Sequence, residues 1–183
     1  MATGLATGVG GFYNGIYPEY IGPVATRCRI NNFYSTSTSV QYIQSRTRHV
    51  AMDNISQIQI LFSDIYPSGT SENAISLGGT ITCSVEYPAG TFTQIKFGGN
   101  AQGTLNNTNL VSDMTTLSVP IPVGAAFWVR NYRAGSGTNF PYSVDGLNWV
   151  YQSASGEACD AGSTARTDQT MSGSIANNYF QNI

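Results

Sequence analysis

At 183 residues the chain is long enough for one domain with its own core and some material to spare. Charged residues make up only 10%, and 8 Lys+Arg against 10 Asp+Glu leave a formal net charge of −2. With no basic cluster beyond Arg27/Arg29 and Arg46/Arg48, this balance argues against nucleic acid as a partner and against long-range electrostatic steering.

The first residues, Met1-Ala2-Thr3-Gly4-Leu5, lack the basic start and apolar run of a secretory signal. No stretch approaches the ~18 apolar residues of a membrane span. The expectation is a chain without a membrane partner, made inside the cell and released, if at all, by a route such as lysis. Residues 1–45 read as an extended Gly/Tyr-rich arm. Gly4, Gly8, Gly10, Gly11, Gly15 and Gly22 interrupt it, Pro18 and Pro23 oppose a regular helix, and Phe12, Tyr13, Tyr17 and Tyr20 lie between them. Aromatic rings in such a segment gain by burial, so an arm docked on its own domain or on a neighbouring subunit is expected ahead of the alternative, a flexible tail. Within 30–43 the Ser35-Thr36-Ser37-Thr38-Ser39 run fits a spacer and an edge strand equally.

From Arg46 a domain spanning 46–183 is predicted. Thr47–Met52 is a first strand, and Ile58, Ile60 and Phe62 alternate with Gln57, Gln59 and Leu61 in a second. Ala74–Leu77 supplies a short element. The clearest strand is Thr80–Tyr87, with Ile81, Cys83, Val85 and Tyr87 on one face and Thr80, Thr82, Ser84 and Glu86 on the other. The turn Pro88-Ala89-Gly90 leads into Thr91–Phe97, which ends at Gly98-Gly99-Asn100, the pattern of a hairpin. Further on, Leu117, Val119 and Ile121 share a face, and Phe127 and Val129 are inward candidates. Beyond Arg133 the pattern weakens; Trp149-Val150-Tyr151 and Gln169–Ile175 are the remaining strand candidates. Short strands broken every ~8–12 residues, with no helical period, predict an all-β fold: an antiparallel β-sandwich or jelly roll with an extended N-terminal arm.

The strings Arg46-Thr47-Arg48-His49-Val50-Ala51, Ser84-Val85-Glu86-Tyr87-Pro88-Ala89-Gly90-Thr91-Phe92-Thr93-Gln94 and Ile121-Pro122-Val123-Gly124-Ala125-Ala126-Phe127-Trp128-Val129-Arg130 resemble the N-terminal β-sandwich that precedes the catalytic domain in SGNH-hydrolase-like proteins of bacteria and their phages. The resemblance covers roughly 46–132. It implies an accessory module, because neither the Gly-Asp-Ser nucleophile block nor the C-terminal Asp/His block of that family is present, and no Gly-x-Ser-x-Gly motif occurs. The sole histidine, His49, lies in a strand and reads as structural.

No catalytic residues, metal ligands or cofactor are therefore expected. Asp145 and Asp160 lack the repeated oxygen ligands of a calcium loop, and Asp53, Asp64 and Asp113 read as turn residues. Trp128, Tyr132, Trp149 and Tyr151 are candidate rings for stacking on sugars. The three cysteines have no C-x-x-C spacing; Cys83 reads as a core residue, Cys28 and Cys159 as reachable thiols able to pair with each other or between subunits. The function expected is a non-enzymatic structural module of a bacteriophage particle: a capsid-decorating or fibre/tail-associated protein, assembled in the host cytoplasm and located in the virion. Its partners would be copies of itself, other virion proteins and a bacterial surface glycan. The alternative is a carbohydrate-binding accessory domain of a hydrolase that targets cell-surface glycans.

Overall fold

The computed structural model describes residues 2–8, 20–26, 35–37, 41–62, 65–68, 71–74, 79–106, 109–135, 140–142 and 156–176. Among these, every regular element is a strand and every pairing between strands is antiparallel. In chain order they are β1 (Ala2–Gly8), β2 (Tyr20–Thr26), β3 (Ser35–Ser37), β4 (Tyr42–Val50), β5 (Ile55–Phe62), β6 (Ile65–Ser68), β7 (Ser71–Ala74) and β8 (Gly79–Glu86). There follow β9 (Phe92–Ile95), β10 (Gln102–Leu105), β11 (Leu110–Val111), β12 (Thr115–Ile121), β13 (Ala126–Ala134), β14 (Phe140–Tyr142) and β15 (Ala158–Gly162). The expected all-β, antiparallel class is therefore what the chain adopts.

Two larger sheets dominate. One runs β11-β5-β1-β2, with β12 also on β5; the other runs β10-β8-β13-β4-β15, with β9 on β8. Smaller pairs join β3 to β14 and β6 to β7. Ile55, Ile58, Ile60, Phe62, Leu117 and Ile121 from the first large sheet share one apolar cluster with Ile81, Cys83, Val85, Ile95, Leu105, Phe127 and Val129 from the second. Burying each large aliphatic or aromatic side chain stabilises by ~1.5–3 kcal/mol, so this shared layer fixes both sheets. The alternation on β5, β8 and β13 predicted from period 2 is the one observed.

Where a strand departs from period 2, a local irregularity accounts for it. Thr115–Ile121 was expected to bury Val119 with Leu117 and Ile121, but the register of β12 on β5 shifts between Thr116 and Ile121, and Val119 turns outward while its two companions stay buried. A second shift lies between Gly4 and Leu5, where β1 pairs Ala25 and then Pro23, leaving Val24 outside the ladder. Pro23 cannot donate to a ladder and sits in the edge strand β2. The displaced Val24 is buried in the core, and its carbonyl accepts from Met52 N at 2.8 Å.

The boundary at residue 45 does not divide the strands. β1 lies between β5 and β2 in one sheet, and β4 begins at Tyr42 rather than Thr47. Of the residues assigned to the arm, Tyr20 opens β2 opposite Gly8; Phe12, Tyr13 and Tyr17 lie outside the described residues. Of the run read as spacer or edge strand, Ser35–Ser37 pairs with β14. Gln169–Ile175, predicted as a strand, is irregular although Thr170 and Ile175 within it are buried. The turn role of Asp113 is direct: its carboxylate accepts from Gly98 N at 2.9 Å and Gly99 N at 2.7 Å, holding two glycines in left-handed conformation.

Candidate functional site

The second large sheet has another face, turned away from the apolar cluster. The registers of β8, β13 and β4 place Glu86, Trp128 and Arg48 in one row across it. Ser84, Arg130 and Arg46 form the next row, and Thr82, Tyr132 and Gln44 the third. Because side chains alternate along a strand, residues one step from Cys83, Val85 and Val129 must point this way. Solvent was the expected environment. Instead Ser84, Glu86, Arg130 and Gln44 are all buried, Arg130 being only 1% exposed.

What covers them is the stretch 156–176. Arg46 donates through Nη1 to the Gly156 carbonyl, and Arg130 donates through Nη2 to the carbonyls of Gly173 at 3.0 Å and Ser172 at 3.4 Å. Ser84 donates its hydroxyl to the Thr170 carbonyl, and Thr82 donates to Asp168. Asp168 in turn accepts from the amide and hydroxyl of Thr170, at 2.8 and 2.7 Å. β15 supplies the remaining attachment by pairing with β4, and the Arg48 amide donates to Glu157 at 2.9 Å.

Glu86 lies at the centre of this layer. Arg46 engages its carboxylate through Nε at 2.7 Å and Nη2 at 2.9 Å, the two-pronged geometry that strengthens a guanidinium–carboxylate pair. Arg130 Nη1 lies 3.5 Å from the same group. The Pro88-Ala89-Gly90 turn folds back so that Gly90 N donates to Glu86 at 2.9 Å, with Gly90 at a positive φ of 85°. Both guanidiniums also rest on rings: Arg46 is 4.0 Å from the centroid of Trp128, and Arg130 is 4.8 Å from that of Phe92.

Burial alone would push the Glu86 carboxyl upward. The hydrogen bonds from Arg46 and Gly90, with the charges of Arg46 and Arg130, outweigh that and hold it below the usual carboxylate value. Burial also pulls Arg130 down from the ordinary guanidinium value, countered by Glu86 and reinforced by Arg46; a guanidinium nevertheless stays charged in a protein. Chemically, an ionised carboxylate gripped by two cations is a poor proton acceptor and a good anchor. Arg46 Nη1 and Arg130 Nη2 point at main-chain carbonyls.

A second polar group adjoins it. Arg166 Nε donates to Asp160 at 2.9 Å, and Gln44 Nε2 lies 3.3 Å from the same oxygen. Tyr42 and Tyr132 stack beside them, centroids 6.4 Å apart and planes 22° apart. The Tyr132 hydroxyl is pushed upward, first by burial and then by Tyr42 and Asp168.

The residues singled out from sequence fare unevenly. Trp128 is half-buried with Arg46 over its ring, so that face is not offered to a sugar. Tyr132 is half-buried against Tyr42. Trp149, Tyr151 and Cys28 lie outside the described residues. Cys159, expected to be reachable, is a free thiol only 3% exposed on β15; burial, and then the charge of Asp160, push it up to about 12. Cys83 is a free core thiol, as expected. His49 is buried and stacks on Phe127 at 5.4 Å. Asp160, considered as a calcium ligand, instead holds Arg166. Among the described residues no group of three or more His, Cys, Asp or Glu is placed to hold a metal ion.

Sequence reasoning did not find Arg46, Glu86 and Arg130 as a unit. The available signal was charge inside well-formed strands of a chain with few charges. Comparisons with protein-family models, curated proteins and solved structures found no match. The arrangement of the chain itself therefore carries the functional reading.

Proposed function

We propose that this protein is a non-enzymatic structural module that works by assembly and attachment. The observation that carries the reading is an apolar end. Val50 at the tip of β4, Met52 in the β4–β5 turn and Val123 in the β12–β13 turn are exposed, Met52 by 66% and Val123 by 58%. The two turns are locked together: Ala51 N donates to the Ala125 carbonyl at 2.9 Å, Gly124 N to the Ala51 carbonyl at 2.8 Å, and Val123 N to Asn54 Oδ1 at 3.0 Å. Apolar side chains held outward on a rigid end suit contact with another molecule. Arg46, Glu86, Arg130 and Asp160 of the second large sheet, meanwhile, are engaged in holding the chain to itself.

The narrower setting is a bacteriophage particle, as capsid decoration or as a fibre- or tail-associated protein, with the virion as location and copies of itself or other virion proteins as partners. It draws on the resemblance of residues 46–132 and on the low charge of the chain. Analytical ultracentrifugation of the full chain tests the assembly reading. An oligomer that dissociates in the Met52→Asp/Val123→Asp variant is expected; a monomer at all concentrations, alone and with candidate particle proteins, overturns it.

A second reading, a carbohydrate-binding accessory domain, is supported by the half-buried Tyr42–Tyr132 pair, whose neighbours Gln44, Asp160 and Arg166 carry hydrogen-bonding groups. Bacterial glycan-array binding lost in Tyr132→Ala is its expected signature.

A further inference from the structure

We propose that residues 163–176 form a clasp that opens as a unit from the outer face of the second large sheet while both sheets stay folded.

The argument starts from what lies beneath the clasp. A segment laid on an apolar layer cannot leave without exposing that layer to water. Here the side chains that meet the clasp's carbonyls are Ser84 and Arg130, a hydroxyl and a guanidinium, with the Glu86 carboxylate beside Arg130. Opening returns charged groups to water, offsetting much of what is lost, because burying ions carries a large desolvation cost. Arg130 Nε, moreover, is buried without a hydrogen-bond partner, a further group that gains from hydration.

The attachments are also of a kind that water replaces readily. Past Gly162 the clasp has no ladder with any described strand. It is held by side chains reaching main-chain carbonyls, from Arg130 to Ser172 and Gly173 and from Ser84 to Thr170, by Thr82 donating to Asp168, and near its start by the part-exposed Arg166 donating to Asp160 on β15. Ile175 is its one buried large apolar side chain. The sheets, by contrast, are joined through the shared apolar cluster and the nine-residue register of β13 on β4. Few apolar contacts and side-chain attachment are the marks of a segment that opens below the global unfolding free energy.

Neighbouring residues on β8 supply the test. Cys83 faces the core, whereas Ser84 faces the clasp. In the full chain carrying Ser84→Cys, alkylation under native conditions is followed by peptide mass spectrometry. The introduced thiol is expected to react at least about tenfold faster than Cys83, at a rate that urea changes little, since little surface is exposed on opening. Adding Asp168→Asn should raise that rate alone. Because Ser84→Cys itself removes a contact to Thr170, Thr170→Cys serves as a second reporter and should behave alike. Equal rates for the introduced thiol and Cys83, with the same steep dependence on urea in both reporters, overturn the proposal.

Discussion

Arg46 on β4 and Glu86 on β8 form their two-pronged pair across β13, the strand between them, with the Arg46 guanidinium lying over the ring of Trp128. One ion pair thus ties three adjacent strands on the face opposite the core. Glu86 is also the only carboxylate that meets Arg130 within the salt-bridge distances of the described residues.

Removing the carboxylate therefore leaves two guanidiniums in a nearly dry layer without their counter-charge. Breaking a buried pair from one side typically costs ~3–5 kcal/mol. Glu86→Gln keeps the shape and is expected to lower unfolding free energy by about 3 kcal/mol in urea titrations. A change under about 0.5 kcal/mol would mean that the layer is better hydrated than its burial indicates.

The half of β8 that faces the core was legible because Ile81, Cys83 and Val85 repeat every second residue. The other half was not, and the reason is physical: alternation reports which face is apolar, and a polar face looks alike whether water or another segment lies on it. The covering segment left no trace of its own. Gln169–Ile175 carries neither a strand nor a helix period, since it is held through its backbone carbonyls, which every residue possesses. Val24 was unplaced because a one-residue register shift moves a side chain to the opposite face, and Val119 was misplaced because the five steps from Thr116 to Ile121 face only the two from Gln57 to Ile55; such irregularities have weak sequence signatures. The exposed Met52 and Val123 were visible as residues, but their meeting at one end depends on the β4–β5 and β12–β13 turns bonding to each other, across some 70 positions of chain from Asn54 to Val123.

Acid should weaken the protein through Glu86. Its carboxyl is held below the unfolded value of ~4.3, so the unfolded chain binds the proton first as pH falls. The stabilisation is present above that value and is lost as pH drops through the lower, folded value. Urea midpoints measured from pH 6 down to pH 2 should fall for the natural chain and fall less steeply for Glu86→Gln. Parallel curves would place the acid sensitivity elsewhere.

At the alkaline end the two buried thiols act in the opposite sense. Burial pushes Cys83 far up and Cys159 up to about 12, while an unfolded thiol ionises near ~8.5. Both therefore contribute stability below about pH 8.5, lost as pH rises toward the folded values. Native alkylation at pH 8 should leave Cys83 and Cys159 unmodified in peptide maps, and urea should make both reactive. Rapid native modification of Cys159 would show that β15 leaves the edge of its sheet far more often than its pairing with β4 implies.

Gly103 on β10 offers a test of the core that is independent of charge. A β-carbon there would lie 2.6 Å from Leu110 Cδ2 and 2.8 Å from Phe97 Cγ, within the contact joining the two sheets near β11. Gly124, in the β12–β13 turn, has open space around its β-carbon position but a φ of +78°. The two positions thus separate crowding from backbone strain. Gly103→Ala is expected to cost ~1–3 kcal/mol by overpacking. Gly124→Ala should cost about 1 kcal/mol through its left-handed backbone. Thermal unfolding of both variants should rank Gly103→Ala as the less stable. The reverse order would mean that Leu110 and Phe97 move aside freely and that this corner of the core is loosely packed.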